Sequence, residues 1–136
     1  MCNSGQSRGR DFYMNQNTLF YRQIPERYIK QDGHVSSLAF RPMPKDEHML
    51  SVYDGDKITP QNAFLHFIEK LKGSSVGVLA VSGAECTAEC LSFHADYGTH
   101  PYHVLIDFAD KSNNACRKIS EHLRHVALER GWLFKQ

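Results

Sequence analysis

The sequence of 136 residues contains no apolar run of the roughly 20 residues that a membrane-spanning helix requires. Its first residues, MCNSGQSRGRDFY, lack the apolar segment of a secretory signal. Neither sign of charge is in excess. The sequence has 16 Lys and Arg residues and 15 Asp and Glu residues, which gives a net charge of +1. We therefore expect a cytoplasmic protein without membrane contact, and the charge balance gives no indication of nucleic acid binding.

The cysteines are too few for a dense disulfide framework, and several short catalytic motifs are missing. The four cysteines form no dense disulfide framework, so we expect reduced thiols. The sequence has no glycine-rich phosphate loop, no serine nucleophile elbow and no zinc-protease helix motif. No enzyme class is therefore identified by a motif. What is present, 41% hydrophobic and 23% charged residues, is typical of a globular domain.

Two regions differ in composition. Residues 1–18 are rich in Asn, Gln, Ser, Gly and Arg, which is typical of a flexible N-terminal arm. From residue 19 onward no change of composition indicates a linker between domains. We therefore predict a single compact domain over residues 19–136.

Alternating and continuous apolar segments predict strands over residues 19–24, 34–40, 49–53, 75–82 and 103–108. The segments beginning at Ser75 and His103 are nearly continuous apolar runs, which are typical of strands covered on both faces. We therefore expect these two strands to lie side by side in the interior. The apolar C-terminal tail, residues 132–134, is expected to form either a final short strand or a hydrophobic clasp against the domain.

Three helices have start and stop signals. The first begins at Thr59 and Pro60 and stops before Gly73. The second begins with a capping box of Ser82 and Glu85 and runs to about residue 91. The third begins near residue 110 or 112 and stops before residue 131. The order of elements predicts an α+β fold, with a mixed β-sheet of about five strands and about three helices packed mainly on one face.

The stretch AFRPMPKDEHMLSVYDGDK, residues 39–57, groups acidic residues and a histidine around a short apolar run. A metal-dependent nuclease site would need an acidic residue, one spacer and a lysine on one strand. Here Asp56 directly precedes Lys57, so the spacing does not fit. We interpret the acidic residues as two polar turns that flank a strand.

Cys86, Cys90 and His94 recur every four residues, a spacing that places them on one face of a continuous helix. With His100 or His103 as a fourth ligand, they would form a tetrahedral zinc site. The alternative is that the thiols are buried and pack as small hydrophobic side chains, with no cofactor. Cys86 also lies in the first turn of a predicted helix, where the helix dipole favours a nucleophilic thiolate.

Arg22 lies within the first predicted strand and Ser37 within the second, and His103 begins a buried strand where its ring must find a partner. An arginine and a serine on neighbouring strands resemble the arrangement in ADP-ribosyltransferase-like folds. The resemblance implies a pocket for a nucleotide, with Arg22, Ser37 and His103 as candidate catalytic residues. The glutamate that such enzymes carry on a later strand has no counterpart, and HVLIDF carries Asp107 instead. A histidine held in the core by hydrogen bonds is the alternative for His103.

Three sequence blocks, FYRQIPERYIKQDGHVSSLAFRPMPKDE, LSVYDGD and VGVLAV, are similar to those of short uncharacterised bacterial proteins associated with mobile elements or gene cassettes. This resemblance implies no established activity. We therefore predict a small binding or interaction module with a protein partner, or a homodimer formed through the C-terminal tail or an edge strand. A small enzyme acting on a nucleotide or nucleic acid and a zinc-binding protein are the two alternatives.

Overall fold

In the computed structural model, which describes residues 15–136, six strands form one sheet in which every pairing is antiparallel. The strands are β1 (Leu19–Gln23), β2 (Met49–Asp54), β3 (Gly77–Ser82), β4 (Ser92–Ala95), β5 (His103–Asp107) and β6 (Phe134–Lys135). Their order across the sheet is β4-β5-β2-β1-β3-β6. The same residues contain the helices α1 (Pro60–Glu69), α2 (Gly83–Ala88) and α3 (Asn113–Arg130), with short 3-10 helices at Glu26–Tyr28, Ser37–Phe40 and Pro44–Asp46.

The two faces of the sheet carry separate cores because side chains alternate along each strand. On β1, Phe20 and Ile24 pack in one cluster together with residues of α3, including Ile119 and Leu123. Tyr21 belongs to the second cluster, which contains Ala63 and Phe64 of α1. The predicted α+β class is therefore confirmed, with six strands instead of about five and with antiparallel pairing throughout instead of a mixed sheet. Two helices, α2 and α3, lie on one face, and α1 covers part of the other.

The strands β3 and β5 are both predicted from their apolar runs, but the expectation that they lie side by side is wrong. The strands β1 and β2 lie between them. Each of the two apolar strands pairs with an early strand in antiparallel fashion, β3 with β1 and β5 with β2. Both strands nevertheless lie in the interior, as expected. β3 is buried along its whole length, and Val104 and Ile106 of β5 are fully buried.

Two segments differ from the sequence prediction. Residues 34–40 do not form a strand, because the Ser36 hydroxyl accepts a hydrogen bond from the amide of Leu38 and starts the 3-10 helix Ser37–Phe40. The helix predicted to reach residue 91 ends at Ala88. Cys90 then adopts a left-handed backbone conformation, with φ of 61°, and the chain turns into the unpredicted strand β4.

The acidic stretch forms turns, as interpreted. Asp46 lies in an exposed 3-10 helix, and Asp54 ends β2. The Asp54 carboxylate accepts a hydrogen bond from the amide of Asp56 over 2.9 Å, which closes the turn before α1. The other oxygen of the Asp54 carboxylate accepts a hydrogen bond from the Tyr97 hydroxyl, which links this turn to the segment after β4.

The N-terminal arm predicted over residues 1–18 falls, for residues 1–14, outside the described residues. At the other end of this range Thr18 is buried and donates a hydrogen bond to the Asp56 carboxylate over 2.6 Å. The carbonyl oxygen of Thr18 accepts from the amide of Gly83 at the start of α2. Residues 15–18 are therefore attached to the domain. Within residues 15–136 no helix has the length and apolarity to cross a bilayer.

Candidate functional site

A cavity of about 320 Å³ lies where the C-terminal end of α1 meets the part of the sheet formed by β1, β2 and β5. We call it the central cavity. Small-molecule pockets begin at roughly this size. The lining residues come from β1 and the segment after it, from β2, from the end of α1, and from the β4–β5 connection with the start of β5: Tyr21, Arg22, Gln23, Pro25, Arg27, Ser51, Val52, Tyr53, Phe67, Leu71, Thr99, His100 and His103.

The central cavity exists because β1 and β2 separate. The two strands pair only at Phe20 with Asp54 and at Tyr21 with Tyr53. Beyond that point the Arg22 guanidinium occupies the gap, and its Nη1 donates a hydrogen bond to the carbonyl oxygen of Ser51 over 3.0 Å. Arginine thus replaces the strand-to-strand hydrogen bond, and the gap widens toward the 3-10 helix Glu26–Tyr28.

Arg22 has a second backbone partner, because its Nε donates to the carbonyl oxygen of Ala39 over 2.7 Å. Burial lowers the pKa of Arg22 to about 10, so the side chain stays protonated at pH 7. Arg27 also lines the cavity and is exposed. Two cationic side chains and no carboxylate appear among the lining residues in the described part of the chain, which gives the cavity a positive potential.

Gln23 is the unusual member of the lining. Its side chain is only 4% exposed, and neither its amide nitrogen nor its amide oxygen has a hydrogen-bond partner among residues 15–136. A buried polar group without a partner costs about 1–3 kcal/mol. The amide can donate two hydrogen bonds and accept two. Gln23 lines the central cavity, so this unsatisfied amide lies at the cavity wall.

A cluster of aromatic rings closes one side of the central cavity. The Tyr53 hydroxyl lies 2.6 Å from Nδ1 of His66, and the rings of Tyr53 and His100 are 5.0 Å apart. Burial raises the pKa of Tyr53 and lowers that of His66. Burial, with the positive charge of His103 and His66, lowers the pKa of His100 to about 4. At pH 7 the wall is therefore uncharged at Tyr53 and His100, and so is His66, which contacts Tyr53 but does not line the central cavity.

Ser51, His103 and Asp96 form a continuous chain of hydrogen bonds at the edge of the central cavity. The Ser51 hydroxyl oxygen lies 3.1 Å from Nε2 of His103, and Nδ1 of the same ring lies 3.0 Å from Oδ2 of Asp96. Thr99 donates to the same carboxylate oxygen over 2.7 Å. Hydrogen bonds from Thr99 and His103 hold the pKa of Asp96 below its ordinary value, against some desolvation. Asp96 is therefore a carboxylate at pH 7.

Of the three residues predicted as catalytic, Arg22 and His103 line the same cavity. Ser37 does not, because it lies at the start of a 3-10 helix rather than in a strand, and Ser51 occupies the place beside His103. The Arg22 guanidinium is engaged with two backbone carbonyl oxygens. The predicted arginine–serine pair is thus not assembled, while the catalytic roles of Arg22 and His103 stay predictions.

Cys86, Cys90 and His94 do not converge. The helix that carries Cys86 ends at Ala88, and Cys86 lies in the core on the α3 side of the sheet. His94 pairs with Leu105 and so shares the opposite face with His103. Residues 15–136 contain no group of three His, Cys, Asp or Glu side chains that would hold a metal ion.

The expectation that all cysteines are reduced thiols does not hold for every cysteine. Cys86 and Cys116 are free and buried, whereas Cys90 is disulfide-bonded and offers no thiolate. Burial raises the pKa of Cys86, followed by the negative charge of Glu85 and Glu89. A thiol of this kind is a poor nucleophile at neutral pH.

Sequence reasoning missed three residues of the site, namely Gln23, Ser51 and Asp96, and considered His100 only as a fourth zinc ligand. Gln23 and Ser51 are ordinary polar positions in strands, and their importance arises from the separation of β1 and β2. Asp96 gains its role from β4, a strand without a sequence signal. His100 had only its position in the connection before β5 to distinguish it.

No family model, no curated protein and no solved structure matches this chain. The resemblance to proteins of mobile elements and gene cassettes therefore stays a prediction.

Proposed function

We propose that the protein is a small-molecule binding module whose ligand occupies the central cavity. The ligand carries a carbonyl or amide group, which hydrogen-bonds to Gln23, and a negative charge, which faces Arg22 and Arg27. The observation that carries this proposal is the buried Gln23 amide without a partner among the described residues. A ligand would supply the missing hydrogen bonds and recover the cost of leaving them unmade.

The walls of the central cavity support the same ligand class. Phe67 and Leu71 provide apolar surface, and the rings of Tyr53 and His100 provide flat surface. A site of this kind selects a small molecule with one planar polar group, because apolar walls give area and a few polar groups fix orientation. The positive potential favours a carboxylate or a phosphate at the open rim, where Arg27 is exposed.

A panel of small molecules tests the proposal. The anionic members are N-acetylaspartate, orotate and uridine monophosphate, and the neutral members are N-acetylglycinamide, uracil and uridine. Binding is measured by saturation-transfer NMR and by the shift of the Gln23 side-chain amide resonance. We expect at least one anionic member to bind and to move that resonance. If no member binds at millimolar concentration, the ligand class is wrong.

Two variants separate the polar contact from the charge. Gln23→Met keeps the side-chain length and removes both polar atoms, so binding should weaken at least about tenfold, the equivalent of one hydrogen bond of about 1.4 kcal/mol. Arg27→Gln should weaken the anionic members and leave the neutral ones unchanged. Gln61→Met, on the exposed surface of α1, is the matched control and should bind like the native chain. Equal binding by Gln23→Met and Gln61→Met would contradict the role of Gln23.

Self-association and location stay predictions. Among residues 15–136 no further strand pairs with the outer sides of β4 and β6, whereas Trp132 and Phe134 of the C-terminal tail already pack within the same chain. An edge-to-edge homodimer is checked by light scattering on the purified protein. Since disulfides are rare in the cytosol and Cys90 is disulfide-bonded, cell fractionation is the direct check of the cytoplasmic location.

A further inference from the structure

We propose that Ser51, His103 and Asp96 are the nucleophile, the general base and the orienting carboxylate of a serine esterase site that hydrolyses a small acyl ester. This inference rests on the proposed function, because the ester carbonyl would occupy the same central cavity. A serine hydroxyl within hydrogen-bond distance of a histidine, which is itself held by a third group, is the arrangement that activates a serine.

The register of three adjacent strands creates this arrangement. Ser51 of β2 pairs with Leu105 of β5, so it lies diagonally across from His103 on the same face of the sheet. The β4–β5 pairing continues past Ala95, and the Asp96 amide donates to the carbonyl oxygen of His103 over 2.8 Å. The side chains therefore project on one side, in the order Asp96, His103, Ser51, from the edge of the sheet toward the cavity.

The protonation states fit the roles. Because Asp96 is ionised and accepts from Nδ1 of His103, that nitrogen carries the ring proton. In the neutral ring Nε2 is then an acceptor, 3.1 Å from the Ser51 hydroxyl, which donates to it. Ser51 is exposed, whereas the His103 side chain is 13% exposed. The nucleophile thus faces the substrate while the base is mostly shielded.

The reaction proceeds in two balanced halves. In the first, Ser51 Oγ bonds to the ester carbonyl carbon as its proton passes to His103 Nε2, and the tetrahedral intermediate expels the alcohol, which takes that proton. In the second, water attacks the acylated serine while Nε2 takes a water proton. Collapse then releases the carboxylic acid and returns the proton to Ser51 Oγ.

Gln23 is the donor for the oxygen that becomes negative in each half. Gln23 lies two residues after Tyr21 on β1, and Ser51 lies two residues before Tyr53 on β2, so both are on the α1 side of the sheet where the two strands have separated. Both line the central cavity, and the Gln23 amide has no partner among residues 15–136. An amide N–H directed at the oxyanion contributes about 10²–10³ to the rate of such reactions.

Covalent labelling of the purified full chain tests the inference. The probe is an ethyl fluorophosphonate, which reacts with an activated serine by losing fluoride and forming a stable phosphonate ester. We expect one phosphonate per chain, located on Ser51 by peptide mass spectrometry, and hydrolysis of 4-nitrophenyl acetate that Ser51→Ala abolishes. A native chain without label at Ser51, or with equal label at the exposed Ser74, would overturn the proposal.

Variants of the other two residues separate catalysis from folding. His103→Gln should lower the labelling rate at least about a hundredfold, since general base catalysis contributes 10²–10⁴. Asp96 is a positioning residue, so Asp96→Asn should slow labelling and also change the ring tautomer of His103, read from its nitrogen chemical shifts by NMR. His125→Gln, on the exposed surface of α3, is the control and should label at the native rate. Native labelling by His103→Gln would end the proposal.

The failure of this inference and the failure of the proposed function are distinguishable. Ser51→Ala removes the nucleophile and leaves the cavity walls in place, so its binding to the anionic panel can be measured directly. Binding by Ser51→Ala without phosphonate labelling of the native chain leaves the binding module and refutes the esterase. Labelling of Ser51 without binding of any panel member supports the esterase and refutes the anionic ligand class.

Discussion

Tyr53 lies directly opposite Tyr21 in the pairing of β2 with β1, and this is the last pair before the two strands separate. Both side chains are at least 95% buried on the α1 side of the sheet. One residue further along β1, Arg22 contacts the backbone of β2 through its side chain instead. The tyrosine pair therefore marks the inner end of the central cavity, and Gln23 is the first side chain beyond it.

Gln23→Met should raise the stability of the protein. The substitution removes two buried polar atoms that have no partner in the described part of the chain and keeps a side chain of similar length. Since an unsatisfied buried group costs about 1–3 kcal/mol, we expect the free energy of unfolding to rise by about 1–2 kcal/mol. Urea denaturation measures the free energy of unfolding. Thermal unfolding should give a melting temperature that is higher by a few degrees.

The control for this prediction is Gln61→Met, whose side chain is exposed on α1. Its free energy of unfolding should stay within about 0.5 kcal/mol of the native value. A Gln23→Met chain that is less stable than native would mean that the amide already has its hydrogen bonds in solution. If Gln23→Met is more stable than the native chain and binds ligand more weakly, then Gln23 contributes to function at a cost in stability.

The helices were predictable because their signals are local. Thr59 accepts a hydrogen bond from the amide of Asn62 at the start of α1, and Ser82 and Glu85 form the predicted capping box of α2. In each contact the two partners are three residues apart, so both can be recognised within one short segment of the sequence. The segment 34–40 was mispredicted because Ser36 closes a local turn in a segment whose alternation was imperfect.

The site was less predictable, because its geometry depends on strand register. Ser51 and His103 are far apart in sequence, and only the pairing of β2 with β5 makes them neighbours. Asp96 joins them through β4, which follows the left-handed turn at Cys90. Register depends on contacts between distant segments, and no pattern within one segment specifies it.

The stability of the protein should fall as the pH is lowered from about 6.5 to about 4, and His100 should be one cause. Burial, with the positive charge of His103 and His66, lowers its pKa from 6.5 to about 4, while the Asp96 carboxylate acts in the opposite direction. Between these values the unfolded chain binds a proton that the folded chain does not, so acid favours unfolding. The effect is on the order of 3 kcal/mol at most.

His100→Asn is the variant that checks this cause. Its side-chain oxygen can replace Nδ1 of His100 as the acceptor for the amide of Tyr102, 3.2 Å away, and it does not titrate. Urea denaturation at several pH values should show a smaller loss of stability between pH 6.5 and 4 than in the native chain. His125→Gln, whose ring is exposed, should follow the native curve. Parallel curves for His100→Asn and native protein would contradict the assigned cause.

The free thiols Cys86 and Cys116 should resist alkylation in the folded protein. Cys86 is fully buried, Cys116 is 5% exposed, and burial raises the pKa of both. Iodoacetamide at pH 8 should modify both in urea and neither in buffer, as measured by peptide mass spectrometry. Rapid modification of Cys86 in buffer would restore the nucleophilic cysteine as a hypothesis.

Gly55→Ala should destabilise the turn that ends β2, and Gly98→Ala should not. A β-carbon at position 55 would lie 2.3 Å from the carbonyl oxygen of Leu19 and 3.0 Å from the ring of Tyr21, so backbone or ring must move. The amide of Gly55 donates to that same Leu19 oxygen over 2.8 Å, which ties the turn to β1. We expect a loss of about 1–3 kcal/mol, as for other forced overpacking.

Gly98 is the matched position, because a β-carbon there meets nothing within 4 Å. Gly98→Ala should leave the free energy of unfolding unchanged or raise it by up to about 1 kcal/mol through a less flexible unfolded chain. Both variants are compared by urea denaturation. Because the turn at Gly55 also fixes the end of β2 against Tyr21, Gly55→Ala should disturb the pairing of Tyr21 with Tyr53 and weaken ligand binding in the central cavity. Native-like stability and binding in Gly55→Ala would show that the cavity does not depend on this turn.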